Sequence, residues 1–495
     1  MKKVICLLLA LLLPCVALAE YTMAGYDGED TYRTWSSNLF FARMEEKTGV
    51  SFRYVQYTDA AQWKTYKASV KASDSDLPDV FFKAQLTSAE CISLLDRGVL
   101  IDLAPYIAEY CPNLSALMES DPEIRNAITL PDGRIAALPS ISEQPMQNCI
   151  WINNVWLKAL GLSEPQNAEE LTEVLRAFKN RDPNHNGGKD EIPLAFLGSF
   201  DLKFLAHAFG LVSNDYNLTC EDGTVVFVPL KKEFRDFVAW LHGLWEEGLL
   251  DKNGFSTSDS LRIVSDSSAT NVYGAVITTL VANFLPAEWL KDYTALTPLL
   301  YQGKRVYRNF AGSVTTGTFA VTSACANVEE MLRWVDSFYT DEVYRLGSAG
   351  LEGTDYFVDG DGTWRLSTAV QNNSYFTGET LISSGGVAPG YNPREFQRKF
   401  YDGTVSYISD ELDKISAVAV RPFPYYSLNA EQAAFVAPLQ SKLGRIVDQT
   451  IACWVTGQEE ISDASFAQFE TELNHAGLPE FMTFWQSVLE GATQR

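Results

Sequence analysis

The chain has 495 residues and a formal charge of −24, long enough to bury a large core and to divide into more than one lobe. With 63 Asp and Glu against 39 Lys and Arg, it is a poor partner for nucleic acid or for an anionic membrane surface. Aromatic residues at 12% permit a stacking site without requiring one.

Met1–Ala19 reads as a secretory leader, with Lys2 and Lys3, an apolar run from Val4 to Leu13, and small residues at Ala17 and Ala19. Cleavage before Glu20 is expected. Anchoring through a lipid on Cys15 is the competing reading, but Pro14 stands where such a site wants Gly or Ala, so release is expected. No later run is long and apolar enough to span a bilayer. Loss of Lys2 and Lys3 takes the charge to −26. Six cysteines follow: Cys91, Cys111, Cys149, Cys220, Cys325 and Cys453. They form no CxxC pair, so zinc is not expected. Export permits disulfides, isolated buried thiols are equally open, and no pairing is assigned.

From Tyr21 strand and helix patterns alternate. Tyr21–Ala24, Val50–Gln56 and Leu77–Phe82 read as strands. Asn38–Lys47, Ala60–Ala72 and Ser88–Asp96 read as helices, with Gly49 and Gly98 as stops. This β-α-β-α-β order predicts a mostly parallel sheet covered on both faces, with ligands at the carboxyl ends of its strands. Asp102–Asn126 reads as helical. A Pro131-Asp132-Gly133 turn predicts a hairpin between Ile128–Leu130 and Arg134–Leu138. Cys149–Asn153, Ile192–Leu197, Val272–Thr278, Tyr293–Leu299 and Phe319–Val321 read as strands. Val155–Leu160, Phe234–Leu249 and Val328–Tyr339 read as helices, and the part from Ala433 on is mostly helical. No repeat or low-complexity tract appears.

The most informative stretch is Asn167–Leu194. Asn167 with Glu170 is a capping-box start, and Leu171, Val174, Leu175 and Phe178 make one apolar helical face. Pro183 stops the helix. A D-x-N-x-N-G-x-x-D-E loop follows, with oxygen-bearing side chains at alternate positions and Gly187 at the sharp turn, a pattern suited to Ca²⁺. The expected ligands are Asp182, Asn184, Asn186, the Gly188 carbonyl, Asp190 and Glu191. Position 12, Glu in an EF-hand, is Pro193 here, so Asp190 and Glu191 must supply the missing oxygens. The ion would be structural. An Asn/Gly turn bonded to its own backbone, with no metal, is the alternative.

Six blocks then carry a resemblance: Met44–Val50; Asp76–Val80; Leu130–Arg134 with Ala137–Pro139; Ile152-Asn153 with Trp156-Leu157 and Leu160–Leu162; the helix with its acidic loop; and Gly350–Gly353 with Tyr356. Together they are similar to extracellular solute-binding proteins of carbohydrate ABC importers, family 1, in the branch of LipO-like and alginate-binding proteins. The tail, Trp454–Gly457 and Ala476–Leu478, is in the same style. The resemblance implies a two-lobed α/β periplasmic-binding-protein-like fold with a hinge and a central cleft, and a structural calcium in the acidic loop. It implies an amino-terminal lobe from 20–147 plus 305–345 and a carboxy-terminal lobe from 148–304 plus 346–495. It also implies capture of a sugar or oligosaccharide by hinge closure, and delivery to a permease by an extracellular monomer.

Sugar sites join aromatic faces to amides and charged groups. The candidates are Trp35, Trp151, Trp289, Trp364, Tyr391, Asn392 and Arg394, with Glu352 beside the family block. A lone Trp is more often core. No GxSxG, HExxH, P-loop or Cys/His nucleophile signature occurs, so an enzyme is not expected. A binding protein of the same fold for a peptide or other solute is the nearer alternative, ahead of a secreted glycan-active enzyme.

Overall fold

The computed structural model describes residues 20–28, 34–143, 148–256, 270–279, 281, 285–309, 313–371, 380–382, 387–399 and 403–493. The leader expected at 1–19, with Cys15, lies outside the described residues. Among the described residues no helix is long and apolar enough to cross a membrane.

The first six elements follow the expected order: β1 (Glu20–Tyr26), α1 (Leu39–Thr48), β2 (Ser51–Tyr57), α2 (Ala60–Ser69), β3 (Val80–Phe82) and α3 (Ser88–Asp96). Local chemistry sets their ends. The Asn38 side chain accepts the Phe40 N–H at the start of α1, and Gly49, at φ 74°, closes it. Thr87 and Glu90 form a reciprocal capping box on α3. Strand β1 lies between β2 and β3, parallel to both, with Met23 opposite Tyr54 on one side and Val80 on the other. Alternation puts Met23 and Phe82 on one face and Ala24 and Phe81 on the other, and both faces are buried.

Helices α4 (Ala104–Tyr110), α5 (Pro112–Ser120) and α6 (Pro122–Ile128) precede β4 (Leu138–Ser142). The expected hairpin is only a turn. Leu130 and Arg134 share a backbone bond across it, but Ile135 is bonded to Asp102 and Leu103 instead. The second arm is therefore taken by a different neighbour, and Ile128 ends a helix.

The carboxy-terminal lobe is built from β5 (Cys149–Asn153), α7 (Ala168–Asn180), α8 (Gly198–Leu202), α9 (Lys232–Glu246), β6 (Ala275–Thr278) and β7 (Tyr293–Ala295). Strand β5 is central, antiparallel to β6 and β7. The strand expected at Ile192–Leu197 is present as single bridges from Ile192 to Tyr273 and from Ala195 to Val276.

The chain then returns. Strand β8 (Ser313–Val321), α10 (Val328–Asp336), α11 (Asp341–Ser348) and β9 (Gly390–Asn392) rejoin the first lobe, whose sheet runs β9-β4-β8-β3-β1-β2. Last come α12 (Gly403–Ser416), α13 (Ala430–Val455), α14 (Asp463–His475) and α15 (Leu478–Thr493). The expected lobe boundaries need correction. Tyr307 is buried in the carboxy-terminal core, so residues 305–309 stay in that lobe. Described residues from 346 to 399 pack with the amino-terminal sheet: β9 pairs with β4, Arg43 reaches Asp355 at 2.7 Å, and the Asn38 amide donates to the Leu381 carbonyl. Helix α12 returns to the other lobe, where Glu411 accepts the Ala295 N–H. The chain thus passes back to the carboxy-terminal lobe between β9 and α12, a third crossing, rather than at 346.

All six cysteines are free thiols. They are spread over separate cores, Cys91 in one, Cys111 and Cys325 in another, Cys149 in a third, which leaves most pairs out of reach of each other.

Candidate functional site

At the carboxyl ends of β1 and β3 the chain places Asp27 and Lys83. Lys83 Nζ lies 2.6 Å from Asp27 Oδ1, and each side chain is 1% exposed. Gln56 donates to the other Asp27 oxygen at 3.0 Å and accepts the Trp35 N–H at 2.9 Å. Burial lowers the Lys83 pKa, opposed by the Asp27 charge. A buried pair of this kind costs desolvation and holds its geometry tightly. Lys83 and Gln85 both adopt φ 50°, and the strand is stitched to β8 by Ala84 N–H to Thr318 O and Leu86 N–H to Gly317 O. Gly317 has φ 71°, and a Cβ there would sit 2.0 Å from the Leu86 carbonyl oxygen. This is a rigid floor at the place where such sheets receive ligands. Asp27 and Lys83 were not among the expected site residues. Part of the signal was there: Lys83 directly follows the strand predicted to end at Phe82, whereas Asp27 follows the observed end of β1 at Tyr26, two residues beyond the predicted one.

At the start of β5 lies a second polar cluster. Asn148 donates to Asp201 at 2.6 Å and accepts from Thr279 at 2.7 Å, while Asp201 also takes the Leu197 N–H at 2.7 Å. Tyr307 OH donates to the Asn148 carbonyl.

The expected ligand residues divide. Tyr391, Asn392 and Arg394 are brought together beside Glu143, which accepts from the Tyr391 hydroxyl and, at 3.0 Å, from the Arg394 N–H. Burial and the Glu143 carboxylate raise the Tyr391 pKa. Arg394 forms an ion pair with Asp413 of α12, so it links the two lobes at the third crossing. The Asn392 Oδ1 is buried without a partner among the described residues. Glu352 is exposed in the turn at 351–355, and Trp289 is half-buried. Three tryptophans are corrected to core. Trp151 has no exposed surface and its Nε1 donates to Thr278 O at 3.3 Å. Trp364 is packed against Tyr356 and Phe396. Trp35 is 3% exposed among Phe41, Tyr54 and Phe82. A ring without exposed face has nothing to offer a sugar.

Between the lobes, a groove of about 840 Å³ runs from α4–α6 to the start of α13 and the end of α15. Its lining is mixed, with Ile107, Met118 and Ile135 beside Glu119, Arg125, Asn126, Asp132 and Gln432. Nearby, Arg421 reaches Asp121 at 3.3 Å and Glu123 at 3.4 Å.

The acidic loop begins as the sequence predicts. Asn167 caps α7 through the Glu170 N–H, and Glu170 reaches back to the Gln166 N–H. Beyond the helix, Asp182 accepts from the Asn186 and Gly187 N–H groups at 3.1 Å, and Asn186 Oδ1 accepts from Gly188 N–H at 2.6 Å. The Asn186 amide donates to both Asp190 oxygens, and Asn184 donates to the Asn271 carbonyl. Asp182, His185 and Gly187 have φ of 48°, 56° and 76°, which curls the loop inward. Glu191 Oε1 is buried with no partner among the described residues, and burial with Asp190 and Asp182 raises its pKa. Among the described residues no cluster of three or more His, Cys, Asp or Glu is arranged to hold a metal. The loop offers three carboxylates, with amide and carbonyl oxygens making up the rest, a hard-oxygen set that suits Ca²⁺. The orphaned Glu191 oxygen fits the same ion.

No protein-family model matches the chain. It is 31% identical over 485 residues to the fructooligosaccharide ABC transporter substrate-binding protein FusA of Streptococcus pneumoniae serotype 4, covering 92% of this chain and 87% of that one. Its fold is similar to the solved FusA complex with kestose, at 23% identity and a TM-score of 0.69, over 96% of this chain and 100% of that chain. A second FusA structure, described as an EF-hand mutant in complex with fructo-nystose, has a TM-score of 0.68 at 23% identity over the same shares of both chains. An extracellular solute-binding protein from Bifidobacterium longum subsp. infantis has a TM-score of 0.75 at 20% identity, over 95% of this chain and 98% of that chain.

Proposed function

Because the chain belongs to the extracellular solute-binding proteins of carbohydrate ABC importers, we propose that it takes up a short oligosaccharide, of fructooligosaccharide type, between its two lobes and presents it to a membrane permease. The 31% identity across 87% of FusA carries this reading. The buried Asp27–Lys83 floor and the Asn148–Asp201–Thr279 cluster support it as the two polar sides of the cleft. The separate groove of about 840 Å³ between α4–α6 and the carboxy-terminal helices, lined by none of these residues, also lies between the lobes.

The chain's own residues give the mechanism. A ligand bound to both lobes stabilises the closed arrangement over the open one. The ion pairs that cross between lobes, Arg394 with Asp413 and Arg421 with Asp121 and Glu123, must hold or shift as the hinge moves. Tyr391, Asn392 and Arg394 act at that hinge strand in this reading. Asp182, Asn184, Asn186, the Gly188 carbonyl, Asp190 and Glu191 would hold Ca²⁺, whose charge neutralises the loop and fixes the end of α7. The protein works outside the membrane as a monomer after loss of residues 1–19.

A thermal-shift panel of fructo-, gluco- and galacto-oligosaccharides tests the reading. A ligand that binds only the native state raises the melting temperature. A shift with fructooligosaccharides is expected. Shifts confined to peptides would overturn it in favour of another solute class.

A further inference from the structure

A separate pocket opens on the carboxy-terminal lobe, away from the strand ends, between residues 214–216, 308–309, 421–428 and helix α15. It encloses about 130 Å³, room for about ten waters at roughly 10–15 Å³ each, or one sugar ring. Its walls are aromatic. Tyr216 stacks on Trp485 at 5.9 Å and 17°, and Phe423 meets Trp485 edge-on at 5.6 Å. Tyr425 closes one side and is 51% exposed. The polar groups are Arg308, held at 2.5 Å by Asp215, Arg421, and the amide of Gln440. Trp485 is only 5% exposed, yet its Nε1 is a buried donor with no partner among the described residues.

Tyr216 and Tyr425, 40% and 51% exposed, offer ring surface to the C–H patches of a pyranose or furanose, and guanidinium and amide groups bond its hydroxyls. A buried indole N–H without a protein acceptor is costly; Trp35, Trp334 and Trp454 share this in the cores, whereas Trp485 lines a pocket. We propose that this pocket is a second carbohydrate site that takes one sugar residue, outside the groove between the lobes but sharing Arg421 with the ion pairs that cross between them. The inference rests on the chain's being a sugar-binding protein.

Equilibrium dialysis of the full mature chain with labelled kestose and with fructose, to millimolar concentration, counts the sites. Two sites per chain are expected, one tight and one at least tenfold weaker. Tyr425→Ala and Gln440→Ala should each abolish or weaken the second by tenfold or more and leave the first unchanged. Circular dichroism checks that both variants fold, and neither residue belongs to the cleft. A single site per chain, or two sites that neither variant moves, would overturn the inference while leaving the importer reading intact, and the pocket then holds water only. Absence of any sugar binding by the wild type would sink both.

Discussion

Glu191→Gln gives the sharpest test of the acidic loop, because its sign should reverse with calcium. Glu191 Oε1 is buried without a partner, beside Asp190 and Asp182. Without metal, a buried acceptor left unmade costs about 1–3 kcal/mol, and like charge adds to it. Gln removes the charge and offers its own N–H₂ to those carboxylates. In chelator the variant should therefore be as stable as the wild type or more stable by about 1 kcal/mol. With calcium, the wild type gains about 2.7 kcal/mol at 100 times Kd and about 4.1 at 1,000 times. The variant loses one charged ligand and most of that gain. Urea unfolding in calcium and in chelator, with the midpoint followed by tryptophan fluorescence, gives all four values. The wild type should lead in calcium and lose its lead in chelator. An unchanged wild-type midpoint between the two buffers, or one ranking in both, would refute the metal assignment.

Asp27→Ala removes the carboxylate that lies 2.6 Å from a fully buried ammonium and should cost about 3–5 kcal/mol. Adding Lys83→Met should recover much of it, as urea midpoints would register. Gly317→Ala should cost at least about 1–3 kcal/mol from its left-handed φ alone, with the Leu86 carbonyl contact making it worse, so weak expression or early melting is expected. His207 is fully buried, and burial pushes its imidazole down to about 4. Its folded pKa lies below the unfolded 6.5, so its contribution is complete above about 6.5 and is lost as pH falls toward about 4. The slope is about 1.4 kcal/mol per pH unit. His207→Gln should flatten that acid limb, and a limb of equal slope in the variant would assign it to other groups.

Local chemistry was the legible part. Asn167 announces a helix start by the bond its side chain makes, and Gly49 announces an end. The β-α-β-α-β order follows from such signals, and it was enough for the parallel run β3-β1-β2 but not for β8, which lies antiparallel between β3 and β4. Pairings between distant segments were not legible. Gly390–Asn392 joins β4 across some 250 residues of chain, and three residues carry no period that would declare a partner, so the lobe boundary was misplaced. Ile135 had a competing partner in Asp102 that no turn motif reveals. Aromatic identity could not separate Trp151, sealed in a core, from a platform, because burial is a property of what packs around the ring. Asp27 and Lys83 were overlooked for the same reason: each reads as a surface charge until the other is found at 2.6 Å. The acidic loop stood out because all its oxygens are close in sequence.

The central claim is that an oligosaccharide closes the two lobes. Small-angle X-ray scattering of the mature protein during titration with kestose, with calorimetry on the same samples, measures this most directly. The account predicts saturable heat of binding together with a fall in the radius of gyration. Heat and scattering that stay unchanged through kestose and the wider oligosaccharide panel would contradict it.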